Sequence, residues 1–273
     1  MATLLIIDPQ NDFHGGGSLA VPGADEDAMR TNQFILSNMD KISRIVITLD
    51  SHHKIDIGHG GFWSSGSDKS KRPDPFTLIT KEDIENRVWV PQSVDHEEYI
   101  KVYLDSLESK GRFKHIIWPE HCLIGTPGHA VNSTIMEAAH TWCDKHNRQV
   151  EWVIKGENPL TEMYSALAAE VPIESDAKTC MNQSLRSTLL PKVDDPNYRL
   201  IVCGQAMSHC VNFTLRDICA GTQDNQETDI KRILLLSDCA SPVAGFEGEA
   251  DAFVNDMKSL GVRVCTSLEV FEE

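Results

Sequence analysis

Short apolar runs alternate with longer amphipathic stretches along most of the chain. The runs are rich in Val, Ile and Leu and show little polar alternation, as expected for strands that are buried on both faces of a parallel sheet. This pattern predicts strands at seven positions. They are residues 3–8, 44–50, 115–119, 150–155, 199–204, 232–238 and 262–265.

The stretches between the runs predict helices at residues 25–40, 95–110, 130–146, 211–220 and 247–260. The last of these stops before Gly261, a residue type that often caps helix C-termini. Because alternation of strands and helices implies right-handed crossovers between parallel strands, we predict a three-layer α/β/α fold.

We expect a single domain over residues 1–273, with a long insertion at about 58–112. The first part of the insertion, residues 58–93, is rich in Gly, Ser, Pro and charged residues. This composition predicts a long surface excursion, and a loop of this length in a compact domain is usually functional or flexible.

Composition narrows the class of protein. The 273 residues are 41% hydrophobic, which is enough for a substantial core, and the net charge of −16 disfavours nucleic acid as a partner. No apolar run approaches the ~18 residues of a transmembrane helix, so we expect no membrane partner. The eight cysteines show no C-x-x-C spacing, and several lie in apolar runs. They are typical of free thiols in a reducing compartment, so we expect a cytoplasmic protein.

Reactive side chains follow five of the predicted strands, at the edge where parallel sheets bind ligands. Cys210 also precedes a predicted helix, whose N-terminal dipole and N–H groups favour a thiolate and could hold an oxyanion. The alternative is a buried structural thiol, which we expect for Cys203. The five reactive residues at this edge are Asp8, Asp50, His121, Lys155 and Cys210.

A metal site is also predicted at this edge. Asp50 and His52 form a D-x-H pair at a strand end, and His121 would be a third ligand from a neighbouring loop. Two histidines and one carboxylate suit zinc or another divalent transition metal with open positions for water or substrate. Three further histidines compete for the same role: His53, His59 and His129.

Six segments resemble the nicotinamidase branch of the isochorismatase-like cysteine hydrolases, in that family's order and over nearly the whole chain. They are LLIIDPQNDFHGGGSLAVPGA (4–24), TLDSHHKI (48–55), WPEHCLIGTPG (118–128), VIKGENPLTEMYSAL (153–167), GQAMSHCVNFT (204–214) and LLLSDCAS (234–241). The resemblance implies a six-stranded, mainly parallel sheet between helices and a homo-oligomer. It also implies hydrolysis of nicotinamide to nicotinate and ammonia through a thioester.

The resemblance implies roles for individual residues as well. Asp8, Lys155 and Cys210 match the catalytic triad. The backbone amides of Ala206 and Cys210 match an oxyanion hole, and the Ala206–Met207 bond matches a cis peptide. The matched metal ligands are Asp50, His52 and His121, around one divalent metal that we expect to be zinc.

Substrate-binding residues are implied in the same way. Phe13 and Trp118 match aromatic residues on either side of the pyridine ring, and we add His209, which directly precedes the nucleophile. Ser208 and His209 depart from the family pattern, in which Asp and an aromatic or aliphatic residue are more usual. The first loop has His14 where many members have Cys. The departures surround the pocket, so they bear on the substrate more than on the chemistry.

Three alternatives stay open. The same machinery could act on another small carboxamide or imide. The chain could instead hydrolyse a vinyl ether, as isochorismatases do, although that chemistry needs neither Cys210 nor the metal ligands. It could also be a catalytically silent binding or scaffold protein, which the complete set of Asp8, Lys155 and Cys210 argues against. The favoured hypothesis is a cysteine amidase for a small neutral amide.

Overall fold

The computed structural model describes residues 1–110, 114–191, 197–220 and 230–271, so the last two residues of the predicted insertion lie outside it. The strands are β1 Ala2–Ile7, β2 Ile42–Asp50, β3 Trp63–Ser65, β4 Leu78–Ile79, β5 Trp89–Pro91, β6 His115–Ile116, β7 Glu151–Lys155, β8 Arg199–Gly204, β9 Ile233–Leu236 and β10 Arg263–Cys265. The α-helices are α1 Ala24–Ser37, α2 Lys81–Glu85, α3 Glu97–Lys110, α4 Ser133–His146, α5 Gln183–Leu189, α6 Cys210–Ala220 and α7 Glu247–Leu260. Short 3₁₀ helices cover Asn11–Phe13, Gly60–Phe62, Val94–His96, Pro127–His129 and Ala177–Thr179.

A six-stranded parallel sheet in the order β10-β9-β8-β1-β2-β7 forms the centre of the described structure. Strand β1 is fully buried, which explains why its sequence ATLLII is apolar at every position except Thr3. The order of strands changes direction beside β1, and this is where open α/β sheets bind ligands at the strand carboxyl ends. The predicted α/β/α fold is confirmed.

Two apolar cores lie on the two faces of this sheet. One joins Leu5 and Ile7 of β1 to helices α5, α6 and α7. The other joins Leu4 and Ile6 to helices α1 and α4. Alternate residues of β1 therefore pack against the helices on opposite faces of the sheet. The predicted cap at Gly261 is present, with a left-handed φ of 98° that glycine adopts without strain.

The excursion over 58–93 has short elements and a core of its own, which its composition did not predict. It contains β3, β4, β5 and α2, and α3 packs against them. Trp63 is completely buried, and its indole N–H donates to the carbonyl of Ile57 at 2.8 Å. Each large apolar side chain buried in this way stabilises the fold by about 1.5–3 kcal/mol. The Gly- and Ser-rich composition of this segment gave no indication that a few widely spaced apolar residues form a core.

The run at 115–119 was predicted as a strand of the main sheet, and this was wrong. Only His115–Ile116 is a strand, and it pairs antiparallel with β4 of the insertion. The N–H of Ile117 donates to Thr77 at 2.9 Å, so the insertion supplies the backbone partners that this run needs. Among the described residues, no helix has the length and apolar character needed to cross a membrane.

Candidate active site

Lys155 lies at the centre of a buried polar cluster beyond the carboxyl ends of the strands. Strand β7 ends at Lys155, β2 ends at Asp50, and Asp8 directly follows β1. The Lys155 Nζ atom lies 3.0 Å from Asp8 Oδ2 and 2.9 Å from Asp50 Oδ1. It is also 3.6 Å from Cys210 Sγ, and it donates to the carbonyl of Met163 at 2.9 Å. One ammonium group thus links both carboxylates to the thiol.

The pKa values in this cluster follow from burial and from these contacts. Burial disfavours the charged form of Lys155, but Asp50 and Asp8 outweigh it and raise the pKa of the ammonium well above its usual value. Burial raises the pKa of Asp8, although Lys155 partly lowers it. Burial also raises the pKa of the Cys210 thiol well above normal, against the lowering effect of Lys155. A protonated thiol therefore stands near an unusually basic carboxylate, an arrangement suited to proton transfer.

The backbone around Asp8 fixes the direction of its carboxylate. Asp8 has φ of 41°, in the left-handed region that short polar residues tolerate best. Its N–H donates to the Thr48 hydroxyl at 2.9 Å, and that hydroxyl donates to Asp8 Oδ1. On the neighbouring strand, a Cβ on Gly204 would come within 2.1 Å of the Ile7 carbonyl oxygen. Glycine at this position lets β8 pass close to the end of β1.

Cys210 is the first residue of α6, where backbone N–H groups are not used by the helix itself. A cis peptide bond precedes this helix, but it joins Gln205 to Ala206. The predicted cis bond at Ala206–Met207 was therefore wrong by one residue. The amides on either side are engaged, since Gln205 N–H donates to Ile7 and Met207 N–H donates to Ser241, both at 2.8 Å. A sequence motif locates such a turn but not the individual peptide bond.

A histidine cluster adjoins Asp50 and could hold a metal ion. Ring nitrogens of His52, His59 and His121 all lie within 4.8 Å of one another, and all three side chains are buried. Asp50 Oδ2 lies 3.1 Å from His52 Nε2 and 3.4 Å from His121 Nε2. Three imidazoles and one carboxylate are the donor set that zinc and similar transition metals favour. The predicted ligands Asp50, His52 and His121 are brought together, and His59 joins them.

Neighbouring groups orient two of these rings. His121 Nδ1 donates to the carbonyl of Pro119 at 2.8 Å, and His52 Nδ1 lies 3.1 Å from Asp56 Oδ2. Both contacts leave Nε2 directed at the cluster, as in metal sites where a carbonyl or carboxylate backs the ligand. Burial, and then repulsion by the other two rings, lowers the pKa of His59 to about 3. A neutral imidazole is the form that binds a metal.

A small pocket opens beside Cys210. Besides Cys210, its lining contains the other four predicted substrate and oxyanion residues: Phe13, Trp118, Ala206 and His209. The Trp118 indole N–H donates to the Tyr164 hydroxyl at 2.9 Å, which fixes the plane of the ring. His209 packs edge-on against Trp118 with 5.0 Å between ring centroids. Burial lowers the pKa of His209 to about 4, so its ring is neutral at neutral pH.

Comparisons with known proteins agree on one fold. No protein-family model matches the chain. A nicotinamidase from Escherichia coli is 27% identical over 215 residues, which cover 78% of this chain and 74% of that protein. The solved structure of an Acinetobacter baumanii nicotinamidase/pyrazinamidase aligns with a TM-score of 0.65 and 20% identity, over 99% of this chain and 98% of that one. The chain has the nicotinamidase fold. The fold and the resemblance predicted from the sequence are therefore confirmed.

A zinc complex is among the solved structures with the nicotinamidase fold. The pyrazinamidase of Pyrococcus horikoshii in complex with zinc aligns with a TM-score of 0.53 and 18% identity, over 97% of this chain and 98% of that one.

In the present chain, His59 reaches the histidine cluster because the insertion begins beside it. The N–H of Trp118 donates to Gly58 at 2.8 Å, which ties the start of the insertion to the loop that carries His121.

Sequence reasoning missed several residues of this nicotinamidase-fold site. His59 was a competitor for the metal but was not chosen. Glu162 and Tyr164 line the pocket, and both stand in the 153–167 segment that carried the resemblance. Burial raises the pKa of Glu162 to about 7. Thr48 and Asp56 gave no usable signal, because nothing in their local sequence shows that they face Asp8 and His52.

Proposed function

We propose that this protein is an amidase that hydrolyses nicotinamide to nicotinate and ammonia. The observation that carries the proposal is the buried contact of one ammonium with a carboxylate and a thiol: Lys155 Nζ lies 3.0 Å from Asp8 Oδ2 and 3.6 Å from Cys210 Sγ. The thiol lines a pocket with aromatic walls. The similarity to the Escherichia coli nicotinamidase supports nicotinamide as the substrate.

The first half of the reaction acylates Cys210. The Sγ proton passes to the Asp8 carboxylate, whose raised pKa suits it as a base, while Lys155 stabilises the thiolate. The sulfur then attacks the amide carbon, and the electron pair of the C=O bond moves to the oxygen. Backbone N–H groups of Ala206 and Cys210 would bind this oxyanion. When the C–N bond breaks, Asp8 returns the proton to nitrogen, and ammonia leaves a thioester behind.

The second half hydrolyses the thioester. Asp8, now ionised, takes a proton from water as the water oxygen attacks the thioester carbon. The tetrahedral intermediate uses the same backbone N–H groups. Collapse breaks the C–S bond, the proton returns from Asp8 to the Cys210 sulfur, and nicotinic acid is released and loses its own proton to solvent to become nicotinate. Each proton that enters Asp8 leaves it within the same half-reaction, so the enzyme ends as it began.

We propose that a single divalent metal, zinc, binds to Asp50, His52, His59 and His121. The donor set and its burial fit such an ion. When bound, it would act as a Lewis acid for a lone pair of the substrate, such as the pyridine nitrogen. Asp50 would then bind the metal and also accept a hydrogen bond from Lys155, which already donates to its Oδ1 atom at 2.9 Å.

The pocket favours a flat, neutral molecule. Phe13 and Trp118 supply aromatic walls, and the neutral ring of His209 adds no charge. Within the described residues, the carboxylates that line the pocket are Asp50 and Glu162. An anionic substrate would meet both of them, so a neutral carboxamide is the better fit. All eight thiols are free, and we further propose the cytoplasm as the site of action.

Ammonia release from nicotinamide tests the proposal. We expect turnover by the wild type, none by Cys210→Ala, and a higher KM after metal removal by a chelator. Benzamide, which lacks the ring nitrogen, should be a poorer substrate than nicotinamide. A wild-type enzyme that ignores nicotinamide but releases ammonia from an aliphatic amide or an imide would support the alternative substrate class. No ammonia from any amide would reject the amidase itself.

A further inference from the structure

Strand β7 forms one end of the sheet, and its outer edge is open. It pairs with β2 on one side, and among the described residues no backbone hydrogen bond reaches its other side. Trp152 is 45% exposed and Ile154 is 54% exposed, and both point to the same face of the sheet. An edge of this kind presents unpaired N–H and C=O groups to another strand.

The edge strand at the opposite end of the sheet, β10, is less suited than β7 to pairing with another strand. Strand β10 has only three residues, and a short edge strand discourages pairing. Strand β7 has five residues and keeps a continuous register with β2, and its central residues are Trp152, Val153 and Ile154. It has no proline, no bulge and no outward lysine at its centre. The sequence of β7 is therefore compatible with pairing to another strand on its outer edge.

The register with a second copy can be worked out from symmetry. A two-fold axis perpendicular to the sheet keeps each side chain on its own face, so one residue must lie opposite itself. With Val153 on the axis, Trp152 opposes Ile154 twice, and Glu151 opposes Lys155, whose side chain stays buried in its own active site and forms no charge pair with Glu151. A shift of the axis to Ile154 would place Glu151 opposite Glu157, two like charges. A shift to Trp152 would place Glu151 opposite Val153.

Pairing about Val153 also extends an existing core. Trp152 and Ile154 are the register partners of Ile47 and Leu49 on β2, which pack beneath helices α1 and α4. Two pairs of an aromatic and a β-branched side chain would continue that apolar face across the axis, and such pairs stabilise antiparallel strands. We propose that two copies of this chain dimerise by antiparallel pairing of their β7 strands about Val153, to form one twelve-stranded sheet.

Substitution of exposed residues tests the interface. The wild type should sediment as a dimer, and Trp152→Lys and Ile154→Lys should each raise the dissociation constant at least tenfold with little change in the melting temperature of the protomer. Leu260→Lys is the matched control, because Leu260 is 50% exposed at the far end of α7. It should leave the dimer intact. A wild type that is monomeric at all concentrations, or a dimer that both β7 variants preserve, would overturn the proposal.

Disulfide trapping tests the register. Opposed Cβ atoms in an antiparallel pair are about 4.5–5.5 Å apart, close to the distance of about 3.5–4.5 Å in a disulfide. Mild oxidation should link Val153→Cys protomers, and should link Trp152→Cys to Ile154→Cys in a mixture of the two. The wild type, with its native thiols, is the background. Efficient linkage of Trp152→Cys or Ile154→Cys to itself would contradict an axis at Val153.

Discussion

The hydroxyl of Thr48 should set the acid limb of the pH profile. It donates to Asp8 Oδ1 and so stabilises the ionised carboxylate, which lowers the pKa of Asp8. Thr48→Val removes this donor with almost no change in shape. Because a hydrogen bond to a charged group contributes about 1.5–3 kcal/mol and about 1.4 kcal/mol is a tenfold change in an equilibrium, the pKa of Asp8 should rise and its ionised fraction at acid pH should fall by about 10–100-fold. The base must be ionised to act, so the acid limb should move to higher pH.

The assay is kcat/KM for ammonia release from nicotinamide over a wide pH range, since this ratio reports groups of the free enzyme. Thr48→Ser keeps the hydroxyl and should keep the wild-type profile. Thr48→Val also leaves the Asp8 N–H without its partner at 2.9 Å, which should cost about 1–3 kcal/mol of stability at every pH, and the loss should be larger at high pH, where Asp8 is ionised. A folded Thr48→Val enzyme with an unmoved acid limb, or an equal shift in Thr48→Ser, would refute Asp8 as the base.

Three further outcomes follow from the site. Cys210→Ser should lower kcat by at least about 10³-fold with little change in metal content, as measured by ammonia release and elemental analysis; a near-wild-type rate would rule out the thiol as nucleophile. Asp56→Asn should weaken zinc binding by about 10–100-fold in competition with a chelating dye, because the Asp56 carboxylate lies 3.1 Å from His52 Nδ1. His59→Ala should weaken zinc binding strongly, whereas the exposed His53→Ala should not; equal effects would exclude His59 from the site.

The sequence predicted the parts of the site that lie at strand ends. Asp8, Asp50 and Lys155 each stand at the end of an apolar run, and parallel strands must bring such ends to one edge. Cys210 was predicted from the helix that follows it. These inferences need only the order of elements and the direction of the strands. The layer architecture could be predicted for the same reason, because burial on both faces leaves a clear apolar signature.

Residues on loops beside the insertion could be predicted only in part, because His121 was chosen as a metal ligand and His59 was not. His59 and His121 stand on loops, and their approach depends on backbone bonds such as that from Trp118 to Gly58. The insertion has its own core around Trp63, but its apolar residues are too widely spaced to reveal a period. A reader of the sequence therefore sees two histidines 62 residues apart and cannot choose between His59 and its neighbours.

The insertion also explains why the run at 115–119 was misread. Its apolar sequence is that of a buried strand, and it is buried, but against the insertion rather than in the main sheet. Apolar character reports burial and not the identity of the partner strand. The same limit applies at β7, where Trp152 and Ile154 have the sequence of a buried strand but are exposed in the single chain. In the first case the partner lies elsewhere in the chain, and in the second the dimer would supply it.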